Sequence, residues 1–308
     1  MKQHAKDIPV YKLDSQYIFV HKEGLVDSDF GMDNTTQLID GGFGLYSSAK
    51  VKGRIGPLKS EFFRIAICRR GFVTVDCGLE SFTHQRNTIH FNFPSQLFSL
   101  YDKSDDMVAY YMIFSEQFIE SLLPLQSIQQ QFPFLDYGGV PFFQLTDAEA
   151  QQVEDLIFKI DNEIKAALPG LKQSIQLYTN LVLIAANRSY LRQQLARKVD
   201  PKKESTILVR YKKLVAQHFI TKRQVADYAA LLNITPNHLN KTIKEQAGKT
   251  ASSFIDEMVL MEAKALLRHT TLSIAEIAWQ LDFSDPSYFN KFFKKGTGLT
   301  PLLYRNQA

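Results

Sequence analysis

The chain has 308 residues and a net charge of +4 at pH 7, enough length for two domains. It holds no run of about 18 apolar residues, and Met1–Val10 is polar, so neither a membrane span nor a signal peptide is expected, and a cytoplasmic protein is. The basic excess sits in one half: from Glu204 onward, 14 Lys and Arg face 9 Asp and Glu, and the remainder is near −1. That modest balance suits a sequence reader of nucleic acid better than a non-specific packager.

From about residue 10 to 145 the chain carries aromatics and short alternating runs. Phe62-Phe-Arg-Ile-Ala-Ile-Cys and Phe72-Val-Thr-Val-Asp-Cys flank Gly71 and read as a hairpin. Asn87-Thr-Ile-His-Phe-Asn-Phe-Pro and Val108-Ala-Tyr-Tyr-Met-Ile-Phe continue the pattern, which predicts a small antiparallel barrel or sandwich. Its mouth can hold a small molecule, with Phe63, Arg64, Phe91, Tyr110 and Met112 as candidate lining residues. Arg64 is the sharpest of these, because an arginine in an apolar strand needs a partner. An anionic effector, an internal salt bridge or an exposed edge position would each supply one. Cys68 and Cys77 are expected as two buried thiols, with a disulfide between them as the alternative. A metal centre would need clustered ligands, but His84 and His90 are six apart and no His-x-His occurs. Gly41-Gly-Phe-Gly lacks the frame of a phosphate loop. No metal, cofactor or catalytic residue is expected.

A helix is predicted from Ser115 to Leu123, stopped by Pro124. Two longer helices follow. Thr146-Asp-Ala-Glu149 is a capping box that opens one running to about Leu168, and Pro169-Gly170 breaks it. The second runs from about Leu171 to Arg197, with Ile175, Tyr178, Leu181, Val182 and Ala185 on one face. Asp200-Pro-Lys-Lys-Glu-Ser is polar and reads as a linker. The predicted domains are therefore 1–200, with a barrel at about 10–145 and helices at about 146–198, and 201–308.

The last hundred residues contain one motif twice. Val225, Ala226, Ala229 and Leu232 match Ile274, Ala275, Ala278 and Leu281 as the apolar face of a short helix. Asp227 and Glu276 are matching acidic residues near the helix starts. Ile234 or Phe283 plugs the turn. Thr235-Pro236 and Asp285-Pro286 then cap a second helix, whose buried face is Leu239 and Ile243 or Phe289 and Phe293. Gly248 and Gly298 end it. The offset is 49 residues before the turn (225 to 274) and 50 after it (239 to 289), so the second turn holds one extra residue. Ala251 to Arg268 reads as a helix joining the copies. Helix, turn and helix is the layout that places a second helix in the DNA major groove. The outward positions are Asn237, Asn240, Lys241 and Lys244, then Ser287, Asn290, Lys291, Lys294 and Lys295, with Glu245 expected to point sideways. Asn can pair with adenine, and Lys can donate to guanine or phosphate. His238 and Tyr288 share a position and are expected to be partly buried.

Residues Ile274-Ala-Glu-Ile-Ala, Phe283-Ser-Asp-Pro-Ser-Tyr-Phe-Asn-Lys-Phe-Phe-Lys-Lys-Gly-Thr-Gly-Leu-Thr-Pro and Tyr304-Arg305 resemble the AraC/XylS family of transcription regulators. Phe91-Asn-Phe-Pro and Ile113-Phe-Ser-Glu-Gln-Phe, with the strand pattern, resemble the cupin-like regulatory domain of many such proteins. The resemblance implies an α+β chain: a cupin-like antiparallel β-barrel with a helical pair, then an all-α domain with two helix-turn-helix motifs. It places base contacts on Asn237, Asn240, Lys241, Ser287, Asn290 and Lys291. Thr235, Lys244, Ser284, Lys294 and Lys295 are the phosphate candidates. It further implies an effector-responsive regulator of promoter DNA, acting as a homodimer, with RNA polymerase as partner if it activates. The two recognition helices would then lie about 34 Å apart, one DNA turn. Two rivals stand beside it: a ligand-independent DNA binder whose N-terminal domain only dimerises, and a cupin-type enzyme carrying a DNA-binding module.

Overall fold

The computed structural model describes residues 10–14, 17–78, 80–94, 96–120, 131–135, 139–195 and 205–306. The chain folds as two compact units, Val10–Lys198 and Val199–Ala308. The linker predicted at Asp200–Ser205 lies outside the described residues except for Ser205, as does the predicted helix beyond Glu120.

The N-terminal unit holds β1 (Val10–Tyr11), α1 (Ile18–His21), β2 (Phe43–Ser47), β3 (Ile55–Ser60), β4 (Phe62–Arg70), β5 (Phe72–Cys77), β6 (Glu80–Gln85), β7 (Thr88–Asn92), β8 (Phe98–Tyr101), β9 (Val108–Ser115), α2 (Glu116–Glu120) and β10 (Phe142–Gln144). One sheet runs β1-β3-β8-β5-β6 and the other β10-β7-β4-β9-β2. Pairing is antiparallel apart from the short parallel contact of β1 with β3. The hairpin expected around Gly71 does not form. β4 pairs with β7 and β9, whereas β5 pairs with β6 and β8, so the chain changes sheets at Gly71. Gly71 has φ +67°, and a Cβ there would stand 2.7 Å from the Met107 Cα, so the corner needs glycine. The hairpin that does form is β5–β6, turned at Gly78.

Two helices cover the second sheet: α3 (Asp147–Ala166) and α4 (Leu171–Arg192). The capping box read from the sequence is present, with Glu149 N–H donating to Thr146 Oγ1 at 3.2 Å and Thr146 N–H to Glu149 Oε2 at 2.8 Å. Strand alternation then sorts β4 into two faces. Phe63, Ile65 and Ile67 pack with Val153, Ile157 and Ile160 of α3 and Val182 and Tyr190 of α4. Phe62 and Ala66 turn the other way, toward Val73, Val75, Phe98 and Leu100 of the facing sheet. Of the face predicted for α4, Ile175, Val182 and Ala185 are buried but Leu181 is 44% exposed.

The C-terminal unit is helical: α5 (Ser205–His218), α6 (Val225–Leu231), α7 (Pro236–Ala247), α8 (Ala251–His269), α9 (Ile274–Gln280), α10 (Pro286–Thr297) and α11 (Pro301–Asn306). The long α8 packs against α5, α7, α9, α10 and α11, which makes it the spine of the unit. Phe254, Ile255, Met258, Ala265, Leu266 and Leu267 are buried along it.

Candidate nucleic-acid interface and interior cavity

Each copy is built from local rules. In the first, Asp227 Oδ2 accepts from Gln224 N–H at 3.2 Å. In the second, Glu276 and Ser273 exchange both capping bonds, at 2.7 and 3.2 Å. The matching acidic residues thus act as caps, a sharper role than a favourable dipole position alone. Both first helices end in a left-handed residue, Asn233 at φ +57° and Asp282 at φ +58°. Asn and Asp enter that region at less cost than other side chains, so their matched spacing is a further signal of the turn in the sequence. Tyr228, Ala229 and Leu232, then Ile277, Ala278 and Leu281, are buried beneath the turns.

The second helices start as expected. Thr235 Oγ1 accepts from His238 N–H at 3.2 Å, Asp285 Oδ1 accepts from Ser287 N–H at 2.5 Å, and Pro236 and Pro286 take the first helical position. Gly248 and Gly298 close them at φ +68° and +79°. Leu239, Ile243, Phe289 and Phe293 are fully buried. That burial leaves Asn237, Lys241 and Lys244 exposed on α7, and Ser287, Lys291, Lys294 and Lys295 exposed on α10, with Thr235 and Ser284 exposed just before them. A row of cations and short polar groups beside a capped helix start can donate to phosphates and reach base edges.

Three details differ from expectation. Asn240 is exposed, yet its Oδ1 accepts from Ala251 N–H at 3.3 Å; Asn290 is half-buried, and its Nδ2 donates to Pro286 O at 3.0 Å. Each has one end of its amide committed to the scaffold, so only the other is free for a base. Tyr288 is 64% exposed and His238 is also exposed, because both fall outside the Leu239/Ile243 and Phe289/Phe293 stripe; the expected partial burial is corrected. Glu245 stands 4.0 Å from Lys241 with its side chain 63% exposed, so it shares the outward face.

Within the N-terminal unit a cavity of about 40 Å³ lies between the sheets. Of the five candidate lining residues only Arg64 borders it. Phe63, Phe91 and Met112 lie in the core beneath the helices, and Tyr110 packs there against Phe30 and Phe158, with ring centroids 5.0 and 5.4 Å away. The parity of the strands is the cause: odd positions of β4 and β7 and even positions of β9 face the helices, and their neighbours face the cavity. The polar residues of its wall are Arg64, His21, His84, His90 and Tyr111. His84 and His90, six apart in sequence, meet with ring centroids 4.9 Å apart. No cluster of three metal-binding side chains occurs among the described residues. Burial holds the His21 and His84 imidazoles well below their usual range, aided by Arg64 and by His90 respectively. Burial and then Arg64 push His90 down to about 3. All three are neutral at pH 7. Cys68 and Cys77 are buried free thiols, raised by burial to about 11 and about 12.

A model described as a helix-turn-helix domain matches residues 228–307. The HTH-type transcriptional activator RhaR of Cronobacter sakazakii is 34% identical over 91 residues, 30% of this chain and 29% of that protein. RhaR of Enterobacter sp. (strain 638) is 22% identical over 181 residues, 57% of this chain and 61% of that protein, so the chain spans less than two thirds of either relative. The solved C-terminal domain of AraT, a response regulator from Geobacillus stearothermophilus, is 29% identical and covers 35% of this chain and 89% of that one, with a TM-score of 0.33.

Proposed function

We propose that this chain, whose residues 228–307 match a helix-turn-helix domain model, is a sequence-specific transcription regulator of the AraC/XylS kind that responds to a small molecule. One observation carries the reading. Two copies of one motif bury matched faces and leave Asn237, Lys241 and Lys244 on one recognition helix and Ser287, Lys291, Lys294 and Lys295 on the other exposed. The lysines, with Thr235 and Ser284, serve phosphates as well as bases; Asn237, Asn240 and Asn290 add amide groups for adenine. The bound target is promoter DNA in the cytoplasm, with RNA polymerase as the further partner of an activator.

The N-terminal unit supplies control rather than catalysis. Its cavity between the sheets has an almost wholly apolar surface and is the place where a small molecule would sit. Leu177, Leu181 and Leu191 stand exposed along α4, an apolar row that suits a homodimer contact. The test is selection of bound sequences from random duplexes, followed by fluorescence anisotropy on the winner and a scrambled duplex. A selected site bound at least 10³-fold more tightly, about 4 kcal/mol, is the expected result. Equal binding to both duplexes refutes a sequence reader.

A further inference from the structure

The repeat breaks at one position, and the residue there crosses to the other copy. Arg223 stands two residues before α6, where the matching position before α9 is the buried Leu272. Arg223 is half-buried, and its Nη2 donates to the Leu281 carbonyl in the turn of the second copy. Its guanidinium lies 4.7 Å from the centre of the Phe283 ring in the same turn. Leu281 closes α9, where the last carbonyls have no helical partners and a cation is favoured. Phe283 in turn packs on Phe289 and Phe292 of α10, 5.3 Å from each ring. A line of contacts thus runs from the approach to α6 into the second recognition helix.

The charges around Arg223 come from more than one element. Burial disfavours its charged form, and Asp256 on α8 and Asp282 in the second turn oppose that cost. One side chain therefore gathers the start of the first copy, the spine and the turn of the second. The spine α8 packs against α7 of the first copy and against α9 and α10 of the second. Two bodies carried on one helix can twist and bend about it, and a tie between them away from that helix restricts the motion. This matters for a reader with two joined heads. The second head adds affinity only to the extent that it is held where its own target segment lies.

We propose that Arg223 is a positioning residue for DNA recognition: by tying the first copy to the turn of the second, it sets the separation and angle at which α7 and α10 meet successive groove segments. It acts through Leu281 and Phe283 and not by contact with DNA. The proposal rests on the reading of the two motifs as one sequence-specific DNA reader, and it names what fixes the spacing that reader accepts.

Anisotropy of the full chain tests it on four duplexes: the selected site, that site with either groove segment scrambled, and that site with one base pair inserted between the segments. The wild type prefers the native spacing. Arg223→Met weakens the intact site by roughly 3- to 10-fold, the worth of a charged hydrogen bond at a half-buried position. It leaves the two half-scrambled duplexes unchanged, and its preference for the native spacing falls by the same factor. Its salt slope stays that of the wild type, because no phosphate contact is lost. Arg223→Lys, which keeps a cation and a donor, regains part of the loss. A folded Arg223→Met variant with wild-type affinity and spacing preference overturns the proposal. So does an equal loss on all four duplexes, the mark of a merely structural role, and so does a salt slope reduced by about 0.9, the mark of a direct phosphate contact. Phe283→Ile places the first copy's turn residue under the guanidinium and decides if Arg223→Met fails to fold: a weaker spacing preference is expected, and an unchanged one overturns the tie. Discrimination between selected and scrambled duplexes without any spacing preference in the wild type sinks only the positioning role, whereas no discrimination at all sinks the DNA reader itself.

Discussion

In the first helix-turn-helix copy, Ile234 N–H closes the turn on Ala229 O at 3.0 Å; in the second, Phe283 N–H closes it on Ala278 O at 2.9 Å. The residues before them donate in the same way, Asn233 to Ala230 O at 3.1 Å and Asp282 to Trp279 O at 3.0 Å. Around this shared backbone the side chains diverge. Leu239 and Ile243 fill the first copy; Phe289 and Phe293 fill the second, where Phe283 lies 5.3 Å from the rings of both Phe289 and Phe292. Outside, Glu245 of α7 takes the place that Lys295 holds on α10. The motif fixes caps, turn and burial, and it leaves packing bulk and surface charge free to vary. The second copy thus has the bulkier core and the more cationic outward face, and on the proposed reading the first would meet the neighbouring groove with less electrostatic help.

Truncating the cores probes the packing half of that contrast and should give the largest effects. Phe289→Ala should cost the C-terminal unit about 3–5 kcal/mol, and Leu239→Ala about 2–5 kcal/mol, nearer the lower end. Denaturant unfolding of the full chain measures both. A larger loss at Leu239 would reverse the ranking of the copies.

The asparagine pair comes next. Asn290→Ala should cost about 1–3 kcal/mol at the selected site and relax preference at one base pair. Asn240→Ala should act in the same direction at the neighbouring segment, where Lys241 and Glu245 leave the face less cationic. If both variants lose matched and mismatched duplexes equally, the bonds to Pro286 O and Ala251 N–H are their whole role.

The left-handed turn residues test whether the backbones are equivalent. Replacing Asn233 or Asp282 by Ala should each cost only part of the roughly 1–2 kcal/mol left-handed penalty, because the Cβ strain is already present and what is lost is the short polar side chain that offsets it. Replacement by Gly should be milder in both. A response confined to one copy would show that the matched φ angles do not carry matched strain.

Helical periodicity made the C-terminal unit legible. An error of one residue in a helix turns a side chain by about 100°, so Leu239, Ile243, Phe289 and Phe293 were placed by spacing alone. His238 and Tyr288 were misjudged only because they flank that stripe. Strands forgive less. A shift of one position flips a side chain to the opposite face, and β4 is buried on both faces, so hydrophobicity could not tell Phe63 from Phe62 or Arg64 from its neighbours. Four of the five cavity candidates therefore fell on the helix side. His21 was invisible for another reason: it reaches the cavity from the short α1, where its Nδ1 lies 2.9 Å from the Tyr17 carbonyl. The sheet change at Gly71 was equally hidden, since a glycine between two strands signals a turn but not which sheet follows it.

The charge contrast should give the smallest effect and the cleanest one. Glu245→Lys gives α7 the cation that α10 has in Lys295, and it removes the ion pair with Lys241. That pair is exposed and worth little, so folding stability should change by less than about 1 kcal/mol. Binding should respond through counter-ions instead. One more neutralised phosphate steepens the dependence of log K on log salt by about 0.9, for selected and scrambled duplexes alike. Lys295→Glu should flatten it by a similar amount or more, since it also places a carboxylate toward phosphate. If the two variants change the slope in these opposite directions while discrimination between duplexes stays constant, the outward faces of the copies differ in charge alone. If Glu245→Lys changes discrimination instead, the carboxylate is reading a base, cytosine N4 being the donor it could accept, and the first copy owes its place to recognition rather than to weaker attraction.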